Sequence, residues 1–476
     1  MKKFKLFLAT LVAAILILVG GKAMAYDITV KDGGAGTYEA YQIFTGDLSS
    51  DETTLSNIEW GNGITDAGKV ALQEKYGVTS AAEVAEKLGS AGADAKAAKD
   101  FAKAAGQYLQ NATGLTGHEA GYYLVQNKTV GSNEAYTNYI LEVLKNVTVT
   151  PKTSIPSVTK KVKETNDTTG IKTDWQDFAD YDRWDDVPFQ LTATLPENLD
   201  DYETYYFELL DKLSPGFTLN KDTIKIYLEN GKTKTEVTTF FNLDDLDFKI
   251  DNLKVLDGIT ASSKIVVEYT AKLNDKAVHG SSGNPSNVEL VYSNNPNNTG
   301  VGASTGKTPE SIVKVYTYEA VFEEIDKNRE SLKGAEFTLY KTVKDENGNI
   351  KKVEVGKISV DESERFAFEG LDAGEYTLVE TVTADGYNTI KPIDFKIVTD
   401  YNENLDPTKL EGESGDAHFE SNLPEGSLTA EIISRKGSLL PSTGGVGTTI
   451  LYSIGIILVL VSVVFLVTKK RMEVKE

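Results

Sequence analysis

Hydrophobic and polar positions alternate along most of this chain after residue 150. Phe189-Gln190-Leu191-Thr192-Ala193, Ile265-Val266-Val267-Glu268-Tyr269 and Glu336-Phe337-Thr338-Leu339-Tyr340 are short runs rich in Val, Ile, Thr, Tyr and Phe. Gly, Asn and Asp separate such runs, as in antiparallel β-sandwiches. Before residue 150 the period changes. Ser80-Ala81-Ala82-Glu83 has the form of a capping box and opens an Ala-rich helical stretch that runs, with Gly interruptions, towards Leu109. The pattern predicts a mainly β chain, with tandem immunoglobulin-like sandwiches behind a mixed α+β first domain. Boundaries are expected near Thr150 and in the Asn-, Gly-, Ser- and Thr-rich loop from Asn294 to Pro309. These divide the chain into domains at 26–150, 151–300 and 310–438.

Two apolar runs stand outside this pattern. Lys2, Lys3 and Lys5 precede Leu6 to Val19, and Ala23-Met24-Ala25 follows as a small-x-small cleavage pattern. Residues 1–25 therefore read as a signal peptide, with a mature chain from Tyr26. The second run, Thr448 to Val467, is followed by Lys469-Lys470-Arg471. About 20 apolar residues suffice to cross a bilayer, and the basic tail marks the cytoplasmic side. Leu440-Pro441-Ser442-Thr443-Gly444 stands just before it. Together these resemble the cell-wall sorting signal of Gram-positive surface proteins, here residues 440–476. The resemblance implies that a sortase cysteine attacks the Thr443 carbonyl and passes the acyl group to an amine, on cell-wall precursor or on another protein.

Composition narrows the reading. A formal net charge of -22 argues against nucleic-acid or anionic-membrane binding. An exported chain without a single cysteine cannot use disulfides. Hydrophobic content of 40% is enough for packed cores, which excludes a disordered stalk. His118, His279 and His418 are too scattered to suggest a zinc site. The acidic run Asp180 to Asp186 lacks the glycine and terminal Glu of an EF-hand loop, and reads as a solvated face. Gly302-Ala303-Ser304-Thr305-Gly306-Lys307-Thr308 misses the phosphate-loop spacing by one residue. No Ser-His-Asp or Cys-His arrangement is evident, so neither metal nor cofactor is expected, and no enzyme acting on an external substrate.

Three polar residues fall on apolar strand faces. Side chains alternate along a strand, so Val158, Lys160 and Val162 share a buried face while Lys161 points away. Tyr205, Phe207, Leu209 and Asp211 alternate likewise, as do Val288, Leu290, Tyr292 and Asn294. Each series sends one polar group inward: Lys160, Asp211 and Asn294. A one-residue slip would select Lys161 or Asn295 instead. A buried Lys is costly unless paired or neutralised.

These motifs resemble the backbone (major) pilins of Gram-positive bacteria, which class C sortases polymerise into covalent pili. The resemblance covers nearly the whole mature chain. Val147-Thr148-Val149-Thr150-Pro151-Lys152 matches the region of the polymerisation lysine, with Thr150 where an aromatic residue is usual. It implies that Lys152 of one subunit accepts the Thr443 carbonyl of another. Lys160, Asp211 and Asn294 match the triad that forms an intramolecular Lys-Asn amide with loss of ammonia. By the chain-entropy model such a closure is worth on the order of 5 kcal/mol. Tyr376-Thr377-Leu378-Val379-Glu380-Thr381 and Gly386-Tyr387 resemble the E-box of CNA-B-type domains, with Glu380 as the acid. Glu324 and Ser434 stand where that domain type usually has Lys and Asn, so no amide is expected in the third domain. Lys327 is a weak alternative nucleophile. The resemblance implies a surface pilus anchored to the wall, with partners in a class C sortase, further copies of this chain, ancillary pilins and, through a housekeeping sortase, peptidoglycan. The alternative is a wall-anchored adhesin or ancillary pilin that binds a host protein without polymerising.

Overall fold

The computed structural model describes residues 25–31, 37–90, 95–132, 134–149, 154–297, 300, 303–345, 347–360 and 365–436, with isolated residues at 459 and 462. Residues 1–24 of the signal peptide, Lys152 and the sorting signal from Leu440 to Gly444 lie outside them.

The first domain builds a four-stranded antiparallel sheet in the order Leu55–Trp60, Thr37–Leu48, Gly121–Thr129, Asn138–Val143. Three helices, Asp66–Tyr76, Ala81–Ser90 and Ala95–Ala105, accompany it. Sequence dictates their ends. Thr65 caps the first, its side chain accepting from the Gly68 N–H, and Gly77 closes it at φ +64°, a left-handed conformation suited to glycine. Ser80 Oγ accepts from the Glu83 N–H at 3.2 Å, and the Glu83 carboxylate accepts from the Thr79 N–H at 2.8 Å, so the capping box forms at the second helix. Phe44 stacks on Phe101 at 5.7 Å and joins sheet to helices. Ile28–Val30 pairs in parallel with Val147–Val149 and ties the start of the domain to its end.

The second domain is a sandwich. One sheet runs Thr233–Glu236, Phe217–Asn230, Lys264–Leu273, Asp186–Thr194, Val158–Val162. The other runs Asn242–Asp244, Asp247–Ile250, Phe207–Leu213, Asn284–Ser293, Ser311–Tyr316, Phe178–Asp180. The expected alternation holds in both. Val187, Phe189, Leu191 and Ala193 from one face meet Phe207, Leu209, Val288 and Leu290 from the other. The boundary differs from the expected one at residues 300–310. Ser311–Tyr316 pairs with Asn284–Ser293 and closes this sheet. The preceding loop is no free linker, because Thr305–Lys307 also pairs with Asn284–Ser293.

The third domain opens at Tyr318–Ile325, which pairs in parallel with Ser427–Ile433. Its two sheets, four- and five-stranded, enclose Phe322, Phe337, Phe366, Phe368, Phe395 and Phe419. Each such ring contributes about 1.5–3 kcal/mol by leaving water.

The domains meet through polar contacts. Between the second and third, the buried Lys341 ammonium lies 2.9 Å from Asp167 and 2.7 Å from Asp372, and also pairs with Asp182. Thr399 and Tyr401 donate to Asp180 at 2.9 and 3.0 Å. The acidic run is thus a domain junction, not a solvated face. Gly370, at φ +75°, lets the Arg183 backbone approach and donate to its carbonyl at 2.8 Å. Between the first and second, Lys99 pairs with Asp201 at 3.1 Å, and the Tyr136 N–H donates to the Asn294 carbonyl at 2.7 Å.

Candidate functional site

Two polar constellations sit inside the sandwiches. In the second domain Lys160 is fully buried, between Val158 and Val162 on the inward face of its strand. Its Nζ is in contact with Asp211 Oδ1 across the sandwich. Nζ also donates to the Tyr269 hydroxyl at 2.9 Å, which in turn donates to Asp211 Oδ2 at 2.5 Å. Asp211 Oδ1 accepts the Lys212 N–H at 2.9 Å as well. The Phe189 ring stands 4.9 Å from the ammonium. Burial drives the Lys160 pKa down, against the opposing pull of Asp211. Burial likewise drives Asp211 up, against Lys160. The dry interior therefore favours the neutral amine and neutral acid, the forms that amide chemistry requires.

The third expected member is elsewhere. Register places Asp211 opposite Val288 and Phe207 opposite Tyr292. Asn294 lies six positions along from Val288, roughly 20 Å at strand spacing. Its Oδ1 accepts from Ser304 Oγ at 2.8 Å, and its Nδ2 donates to the Glu134 carbonyl at 3.3 Å. Alternation identified its buried face, but the first domain, not Lys160, is what buries it. Asn294 is therefore a docking residue here. The slipped alternatives fare no better. Lys161 is paired with Asp177 at 2.6 Å outside the core, and Asn295 Oδ1 accepts the Asn297 N–H in a turn.

Sequence reasoning missed two members of the cluster. Tyr269 was visible in the phase of Ile265 and Val267, which send it inward. Ser286 continues the Val288–Leu290 phase in the other direction and is buried. It donates to the Lys212 carbonyl at 3.0 Å.

In the third domain the motif positions do converge. Glu324 is buried, and Ser434 Oγ donates to its Oε1 at 2.6 Å. Glu380 Oε2 accepts the Ile390 N–H at 2.6 Å. Burial raises the pKa of Glu380, and the neighbouring Glu324 raises it further. Burial raises Glu324 also. Glu324 Oε2 and Glu380 Oε1 are buried without hydrogen-bond partners. Lys327 is exposed, away from this acid pair. Among the described residues the cluster contains acids and a hydroxyl but no amine.

Comparison with known proteins adds the lineage. Residues 319–429 match the SpaA family model, described as a prealbumin-like fold domain. The chain is 24% identical over 381 residues to the trypsin-resistant surface T6 protein of Streptococcus pyogenes serotype M6, covering 67% of this chain and 70% of that one. The three-domain structure of the T6 backbone pilin of serotype M6 Streptococcus pyogenes matches 87% of this chain and 98% of its own. That match has a TM-score of 0.55 and 17% identity. The full-length major pilin SpaD from Corynebacterium diphtheriae covers 88% of this chain and 98% of its own, with a TM-score of 0.47 and 15% identity. The resemblance drawn from the sequence motifs and the mainly β architecture agree with these matches.

Proposed function

We propose that this chain is the structural backbone subunit of a covalent cell-surface pilus. The observation that carries the reading is the match along almost the whole length of a backbone pilin, domain after domain. An adhesin sharing only a terminal sandwich would not give it. In the proposed cycle the chain is exported, held by its C-terminal apolar run, and cut between Thr443 and Gly444 by a class C sortase. The thioester at Thr443 is then attacked by the Lys152 amine of another subunit. The C–N bond forms, the thiol leaves, and the fibre grows head to tail. Ancillary pilins and a housekeeping sortase that transfers the fibre to peptidoglycan complete the assembly.

The position of Lys152 supports this role. The strand Val147–Val149 ends just before it, tied in parallel to Ile28–Val30. The second domain begins its strand at Val158. In the sequence Lys152 thus falls between two anchored domains, next to Pro151, a residue that cannot donate to a sheet. Incubating the purified precursor with a class C sortase and mapping the product by mass spectrometry tests the linkage. A branched peptide joining Lys152 to Thr443 is expected. A branch at another lysine would overturn the assignment of Lys152.

A further inference from the structure

We propose that the third domain closes on itself through an ester, formed between Ser434 Oγ and the side-chain carboxyl of Glu324. The bond joins the first strand of that domain to the residue just past its last.

The two groups are already in contact. Tyr318–Ile325 and Ser427–Ile433 run side by side in parallel, with Glu324 opposite Ile432. The Ser434 N–H donates to the Ile325 carbonyl at 2.9 Å, which fixes this residue beside the end of the first strand. Its Oγ donates to Glu324 Oε1 at 2.6 Å, and both side chains are buried. Burial raises the Glu324 pKa, and the Ser434 hydroxyl is what opposes that shift. The dry site therefore favours the neutral carboxyl, the form whose carbon a hydroxyl can attack. Glu324 Oε2 is buried without a hydrogen-bond partner. An unpaired buried atom calls for an explanation, and here it is the oxygen that departs.

The step balances without a co-reactant. Oγ attacks Cδ of the neutral carboxyl and its proton passes to the same group. The Oγ–Cδ bond forms, the Cδ–Oε2 bond breaks, and Oε2 leaves as water carrying both protons. Glu380 is the second acid of the cluster and can relay the proton. Its Oε2 accepts the Ile390 N–H at 2.6 Å, and its Oε1 is buried without a partner. The same loop reaches the end of the last strand, where the Asn388 N–H donates to the Arg435 carbonyl at 3.0 Å, next to Ser434. Groups held in one geometry can react as though at about 10⁵ M or more, well above the concentration of water, so release of water into the solvent favours closure.

The bond stands apart from the pilus reading, but its mechanical consequence rests on it. Tension entering the third domain at Tyr318 and leaving after Lys436 would pass from one strand to the other through the ester. The chain between Glu324 and Ser434, which are 110 positions apart, would then carry no load. Without the bond, the parallel ladder between the two strands would bear that load in shear.

Peptide mapping of the folded mature chain, digested in denaturant, tests the proposal. Trypsin frees peptides 315–327 and 410–435, which hold Glu324 and Ser434 and contain no Asn-Gly bond for hydroxylamine to cut. They are expected as one linked species, lighter by one water than the two together. Alkaline hydroxylamine should split it into a Glu324 hydroxamate peptide and a free Ser434 peptide. Two unlinked peptides of sequence mass would overturn the proposal and leave an ordinary hydrogen bond. A linked species that hydroxylamine leaves intact would overturn it too. Ser434→Ala gives the second measurement. In single-molecule extension the third domain of the folded variant should release roughly 40 nm of contour length that wild type withholds. Equal release from both would contradict the bond. Neither readout requires polymerisation, so the ester and the pilus reading fail separately.

Discussion

At the scale of the residue, the account turns on a lysine buried beside a carboxyl group. Removing one partner leaves the other's polar atoms unpaired in a dry core and opens a cavity, so Lys160→Ala is expected to cost about 3–5 kcal/mol. The double change Lys160→Met with Asp211→Leu removes both and should recover most of that loss, a coupling that a denaturant-unfolding cycle on the four proteins would measure. If the double variant were as unstable as the sum of its parts, the pair would not be acting as a unit. Lys160 and Asp211 were legible in the sequence because a period of two names the buried face of a strand. Asn294 was chosen by the same reasoning, and the structure does not bring it to Lys160. Alternation says which face a side chain occupies, but not how far along the strand its partner lies. Only the cross-strand register, Asp211 opposite Val288, supplies that distance. Tyr269 escaped notice because an inward tyrosine in an apolar run looks like ordinary core.

At the scale of the element, local chemistry was the better guide. The capping box at Ser80 and Glu83 was legible because its contacts span three residues. Ser80→Ala should weaken the first domain by about 1 kcal/mol, read as a lower unfolding midpoint with an unchanged slope. An unchanged midpoint would show that the cap adds nothing to the packed helix. The strand Ser311–Tyr316 was harder to place. Its loop is rich in Asn, Gly and Ser, which locally resembles a linker. Its membership in the second sandwich depends on pairing with a strand twenty-odd residues earlier. The third domain therefore begins at Tyr318, which the match beginning at residue 319 also brackets.

At the scale of the whole molecule, junction chemistry should govern how rigid the subunit is. Burial of Glu164, reinforced by Asp180, pushes its pKa up to about 8. Burial of Asp185, reinforced by Asp182 and Asp167, raises it to about 7. A carboxyl group whose folded pKa is raised binds more protons folded than unfolded, so its contribution is lost as pH rises through that value. The docked second and third domains are accordingly expected to be most resistant to protease near pH 5 and to loosen between about 6 and 8. Glu164→Gln should flatten that slope, and an unaltered profile would contradict the assignment. Lys341→Met leaves Asp167, Asp182 and Asp372 facing one another without their cation. It should free the junction to cleavage while each sandwich core stays intact. None of this was legible beforehand, because the acidic run Asp180 to Asp186 reads as solvent-facing until the third domain brings up Lys341. The most direct test of the central claim is an immunoblot of cell-wall extracts boiled in denaturant, comparing wild type with Lys152→Ala at matched expression. A ladder of high-mass species in wild type that collapses to monomer in the variant is the predicted result. No ladder in either strain, with the partner sortase shown to be active, would contradict the backbone subunit and point to a singly anchored surface protein.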